Sequence, residues 1–111
     1  MFEMANVKLV VFVPLSHADV VRAALGEAGA GVIGNYSHCS FSSRGVGRYR
    51  AGANSQPFIG STGEFGEAEE ERIEVVVEKA KLRDVVTAMR RVHPYDEVAF
   101  DIYDLVDIGG T

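Results

Sequence analysis

Val7-Lys8-Leu9-Val10-Val11-Phe12-Val13-Pro14 is the stretch that decides the fold class. It is β-branched or apolar at almost every position, so it predicts a strand whose two faces both need cover. Pro14 has no amide hydrogen for a ladder and ends it. Ser16-His17-Ala18-Asp19 then reads as a helix start, with the Ser16 hydroxyl expected to cap free amides and Asp19 well placed in the first turn. Val20, Val21, Ala24, Leu25 and Ala28 fall on one helical face, and Gly29 and Gly31 supply the stop.

Further along, Tyr36 to Arg50 reads as two strands with a turn near Ser43-Arg44-Gly45. Ala51 to Ala68 is rich in Gly, Asn, Pro and Ser, which predicts a long glycine-rich loop of the kind that is functional or mobile in small domains. In Arg72-Ile73-Glu74-Val75-Val76-Val77 the apolar residues Ile73, Val75 and Val77 share one face of a half-buried strand. Leu82, Val85, Val86 and Met89 form the stripe of a second helix, basic at its end through Arg90 and Arg91 and closed by Pro94. Val98, Phe100 and Ile102 alternate with Ala99, Asp101 and Tyr103 in a last strand, before a Gly109-Gly110 tail expected to be loose. The order is β-α-β-β-α-β with an extra β-ribbon: an α+β, ferredoxin-like sandwich, one domain over residues 1–111 with its core at about 6–105. Helices cover one sheet face only. Because the first strand is apolar on both sides, the bare face predicts a homo-oligomer, and analogy with related folds makes a trimer the first choice.

The chain has 111 residues, 11 basic against 16 acidic side chains and a net charge of -5. A chain this long can bury a core without disulfides or metal. Its charge repels a phosphate backbone, so no nucleic-acid partner is expected. Cys39 stands alone, leaving no disulfide or Cys-x-x-Cys motif and pointing to the reducing cytoplasm. The apolar run at Val7 to Val13 is too short for a signal sequence or a membrane span.

With that topology, the motifs Gly31-Val32-Ile33-Gly34-Asn35-Tyr36-Ser37, Cys39-Ser40-Phe41, Gly45-Val46-Gly47, Pro57-Phe58-Ile59-Gly60 and His93-Pro94-Tyr95-Asp96-Glu97 resemble the inserted PII/CutA-like domain of the Nif3-like (YqfO) proteins. The likeness runs from about Val7 to Leu105. It implies a PII- or CutA-like ferredoxin fold, usually trimeric. Full Nif3-like proteins add flanking halves with a dinuclear metal site, and the cyclohydrolase-type activity proposed for those halves does not transfer to these residues.

The residues that could carry chemistry each have a plainer reading beside the functional one. His38, Cys39 and His93 are zinc or copper ligand types, and CutA-like proteins have been linked to copper. His38 and Cys39, on opposite sides of a strand, could not share an ion, so a metal site would need His38 with His93 across an interface or around a three-fold axis. Cys39 otherwise reads as a small core residue, and Ser16, His17 and Asp19 spell a triad but are explained by helix capping. His93-Pro94-Tyr95 serves equally as a basic helix end with an aromatic anchor or as part of a cleft with Glu97. Amides around Gly45, Gly47, Gly60 and Gly63 could cradle a phosphate, with Arg48 and Arg50 supplying charge, although neither a dinucleotide fingerprint nor a Gly-Lys-Ser/Thr loop occurs.

The sequence thus supports a non-catalytic, PII/CutA-like trimeric domain for small-ligand binding or regulation. Its candidate ligand-binding residues are Tyr36, His38, Gly45, Gly47, Arg48, Gly60, His93, Tyr95 and Glu97, in clefts between subunits, and the ligand would be a small anion or the partner a Nif3-like protein. The alternatives are a zinc- or copper-binding protein using His38 and His93, or an accessory subunit of a separately encoded Nif3-like metal hydrolase.

Overall fold

The computed structural model describes residues 5–109, and Gly110, half of the expected loose tail, lies outside them. The elements are β1 (Asn6–Pro14), α1 (Ala18–Glu27), β2 (Phe41–Arg50), β3 (Phe65–Glu78), α2 (Leu82–Val92) and β4 (Phe100–Asp104), with short 3-10 turns leading into both helices. The strands form one sheet in the order β2-β3-β1-β4, with every neighbouring pair antiparallel. This is the ferredoxin-like α+β arrangement that the sequence predicts.

Alternation along β1 sends Val7, Leu9, Val11 and Val13 into the helix-covered core, where they meet Ile73, Val75 and Val77 of β3. Val21 and Leu25 of α1 and Val85 and Met89 of α2 close that core, all fully buried. Burying each such side chain contributes about 1.5–3 kcal/mol before chain entropy is set against it. The α1 stripe is narrower than its sequence suggests, for Val20 is 44% exposed and Ala18 takes its place.

Three local expectations are corrected. Ser16 does not cap α1; the chain enters through a 3-10 turn, and the Ser16 hydroxyl bonds the neighbouring His17 Nδ1 at 2.8 Å. No turn breaks the chain at Ser43-Arg44-Gly45, because β2 runs unbroken from Phe41 to Arg50 against β3. The extra ribbon is instead the far half of that pairing: β1 accompanies β3 only from Glu70 onward, so Val46 to Arg50 and Phe65 to Glu69 extend beyond the sheet as two strands. β3 therefore begins at Phe65, inside the stretch that composition reads as loop.

The second face of β1 is also less bare than expected. Val10 is only 1% exposed within the chain itself, flanked across the sheet by Glu74 and Asp101, and Lys8 and Arg72 both lie near Glu74 on that face. Phe41 and Tyr103 are the large apolar side chains left open there, at 66% and 50%. Among the described residues no helix is long and apolar enough to cross a membrane.

Gly29 stops α1 at a φ of +108°, with its amide bonded to the Gly26 carbonyl. Gly31 follows at φ +82°, buried against the Cys39 backbone, where a methyl group would stand 2.6 Å from the Cys39 nitrogen. Only glycine serves both that conformation and that approach.

Candidate functional site

At the end of the sheet where β1 finishes, the ribbon, the loop after it and the turn after α2 converge. The convergence is held from beneath by His93, which caps α2 and is 8% exposed. Its Nε2 lies 2.8 Å from the Phe12 carbonyl, and its Nδ1 receives the Tyr95 amide at 3.2 Å. A carbonyl demands a donor and an N–H demands a lone pair, so the ring is the neutral Nε2–H tautomer with both nitrogens engaged. Burial pushes its pKa below the ordinary value, with the Phe12 bond and nearby Glu70 pulling the other way.

Pro94 cannot continue a helix, and the turn it starts brings the Tyr95 ring back over His93, centroids 4.9 Å apart. The Tyr95 hydroxyl donates to Glu70 Oε2 at 2.8 Å, and burial together with that carboxylate raises its pKa. Glu70 reaches this position across β2 because Gly47 carries no side chain, its missing Cβ leaving the space that the carboxylate occupies. Two residues along the ribbon, Tyr49 lies over Gly66, directly opposite it, where a Cβ would come within 2.7 Å of the ring.

The loop folds back onto this platform. The Tyr49 hydroxyl donates to the Ile59 carbonyl, Asp96 Oδ2 accepts the Gln56 amide at 2.9 Å, and Phe58 sets its ring edge-on to His17 at 5.4 Å and tilted to Tyr95 at 6.2 Å. Between ribbon, loop and turn lies a cleft of about 420 Å³, walled by Tyr49, Pro57, Phe58, Ile59 and Tyr95 and edged by Glu70, Asp96 and Glu97. A volume of that order suits a small molecule.

Of the residues singled out by sequence, Gly47, Arg48, Tyr95 and Glu97 line this cleft and His93 supports it from beneath. Gly60, at φ +87°, packs beside the Tyr49 hydroxyl. The others lie elsewhere. Gly45 is an exposed residue in the β2–β3 ladder. Tyr36, 75% exposed, closes a tight turn with Ile33. His38 is not in a strand at all: it sits at φ +60° against Gly26, its Nε2 3.7 Å from Glu27. That is the opposite end of the sheet from His93, since Gly31 bonds Val76 whereas His93 bonds Phe12, the partner of Arg72. Four residues of strand, about 13 Å, separate those anchors. His38 and His93 therefore do not meet within one chain, and His93 could offer a metal a lone pair only by giving up the Tyr95 amide.

Cys39 is half-buried rather than a core residue. Asp19 bonds Arg22 instead of His17, so no Ser-His-Asp relay forms. Of the glycines expected to cradle a phosphate, Gly45 and Gly47 lie in the β2–β3 ladder, the Gly63 amide is bonded to the Ala51 carbonyl, and Gly60 is left-handed at φ +87°. Among the described residues no three His, Cys, Asp or Glu side chains converge as metal ligands would. Sequence reasoning missed Tyr49, Phe58, Glu70 and Asp96. Only Tyr49, alternating with glycines on a ribbon, left a readable sign of its position.

The fold is PII/CutA-like. Solved structures of low sequence identity share the architecture: the Bacillus subtilis GlnK–ATP complex at a TM-score of 0.64 and 17% identity, covering 95% of this chain and 85% of that one, and Pyrococcus horikoshii CutA1 at 0.66 and 16%, covering 93% and 86%. A Bacillus cereus protein related to NIF3 matches more strongly, with a TM-score of 0.84 and 45% identity over 96% of this chain and 27% of that one. Proteins named GTP cyclohydrolase 1 type 2 homolog are 51% identical over 96 residues in Bacillus subtilis and 50% identical over 104 residues in Halalkalibacterium halodurans. Those matches cover 86% and 94% of this chain, which spans only 26% and 28% of the relatives. No family model matches. This chain is the counterpart of the PII/CutA-like domain of the Nif3-related proteins.

Proposed function

We propose that this chain is a non-catalytic regulatory domain that binds a small ligand in the cleft between the β2–β3 ribbon, the 52–64 loop and the Tyr95–Ala99 turn. One observation carries the reading: the cleft is organised by bonds that link three separate segments, through Tyr95 to Glu70, Gln56 to Asp96 and Tyr49 to Ile59. Such bonds hold the walls of the cleft in one shape, and a preformed site lowers the ordering cost of binding a ligand. The homo-oligomer, with a trimer as its first form, belongs to the same reading; it is supported by exposed Phe41 and Tyr103 on the open sheet face and by the edge strands β2 and β4. A thermal-shift screen of nucleotides and small metabolites tests the binding function, because a ligand that favours the folded state raises the melting temperature by mass action. Absence of any shift at millimolar concentration would remove it.

A second reading has its own support. In the relatives, this domain occupies about a quarter of a longer protein. Docking onto a Nif3-like hydrolase is the corresponding role, and co-elution of the purified domain with the remaining part of a relative tests it.

A further inference from the structure

We propose that the cleft selects a planar cation, such as an aryl amidine or a protonated amino-heterocycle, over an anion; this rests on the cleft being the ligand site. The shape argues for planarity. Tyr49, Phe58 and Tyr95 present aromatic surface from three segments, with Pro57 and Ile59 completing apolar walls, a setting in which a flat ring stacks well.

The charge argues for a cation. Arg48 and Arg50 are at the cleft by position in the chain, yet alternation along β2 directs their side chains to the ribbon face opposite Gly47 and Tyr49. Each makes its bond there: Arg48 Nε on Glu67 Oε2 at 3.2 Å, Arg50 Nε on the Gly63 carbonyl at 3.1 Å with its head 5.5 Å above Phe65. Beside these two arginines, whose backbone runs along the cleft, its lining holds three carboxylates, Glu70, Asp96 and Glu97.

These carboxylates are not equally committed. Both Asp96 oxygens already accept backbone amides, from Glu97 and Gln56. Glu70 uses Oε2 for the Tyr95 hydroxyl, while its Oε1, lying over Gly47, has no donor among the described residues. The Glu97 side chain likewise has no partner among them. Two unspent carboxylate acceptors beside an aromatic slot match a flat group that carries N–H donors and positive charge. A phosphate placed there would meet like charge from Glu70, Asp96 and Glu97, while Arg48 and Arg50 are bonded to Glu67 and Gly63 on the other ribbon face.

The test compares three ligands of nearly one shape on the full chain, followed by amide and aromatic NMR shifts: benzamidine (cation), benzamide (neutral) and benzoate (anion). Benzamidine is expected to shift Tyr49, Phe58 and Tyr95 and to bind at least tenfold more tightly than benzamide, with benzoate weaker still. Glu70→Gln keeps an acceptor for Tyr95 while removing the charge, and it should erase most of that preference. Glu97→Gln, at an exposed side chain that makes no bond among the described residues, should reduce it and leave folding unchanged. Equal binding of all three ligands, stronger binding of benzoate, or an unchanged preference in both variants overturns the charge selection while the cleft stands as a ligand site. If none of the three, nor any compound of a chemically diverse panel, shifts these residues, the ligand site itself fails and the selection with it.

Discussion

His93→Phe removes the support beneath the cleft while keeping a ring of similar size. The substitution leaves the Phe12 carbonyl and the Tyr95 amide without their partner in a site only 8% exposed. Each stranded group costs about 1–3 kcal/mol, and the apolar ring recovers part of the loss, so a net destabilisation of about 2–4 kcal/mol is expected. The pH dependence gives a sharper signature. Because His93 is held neutral, with its folded pKa pushed by burial below the ordinary histidine value, the unfolded chain binds more protons in that window. Its contribution is complete above the unfolded pKa and is lost as pH falls through the folded one. Urea unfolding of both proteins from pH 8 to pH 5 separates the effects, since the groups common to the two proteins largely drop out of the difference. The stability gap should be widest at high pH and narrow toward low pH. A variant as stable as the parent at pH 8, or a gap independent of pH, would refute the reasoning.

Gly31→Ala forces a side chain into a left-handed position against the Cys39 backbone, and a loss of about 2 kcal/mol or more in urea unfolding is expected. Met89→Ala opens a cavity in a fully buried position and should cost about 2–5 kcal/mol by the same measurement. Phe58→Ala deletes the loop's aromatic anchor on His17 and Tyr95, so the Gln56 amide should exchange faster with solvent while global stability changes little. Light scattering should return three times the chain mass at micromolar concentration; a monomer there would remove the trimer.

Much of the fold was legible because the pattern of β1 and β3 leaves little choice. Ile73, Val75 and Val77 alternate on one face and so need a core, which Val7 to Val13 beside them supplies, and the two helices follow from their stripes and stops. The ribbon was harder to read. Serines and glycines between Ser42 and Gly47 resemble a turn, yet Gly47 is what lets Glu70 lie across the paired strands, as Gly66 does for Tyr49, a reason visible only once the register is known. The site divided along the same line. His93, Tyr95 and Glu97 fall together because they are neighbours in sequence around Pro94, whereas Tyr36 and His38 share only their residue types with them and lie at the other end of the sheet. Glu70 carries an unspent carboxylate oxygen at the cleft, but a run of glutamates gives no sign of which one turns inward.

Crystals soaked with a library of small fragments offer the most direct test of the proposed binding role. Occupied density should concentrate between Tyr49, Phe58 and Tyr95, with polar atoms of the fragments at Glu70 or Glu97. Fragments gathering instead around Tyr36 and His38, or leaving the cleft empty at saturating concentration, would contradict it.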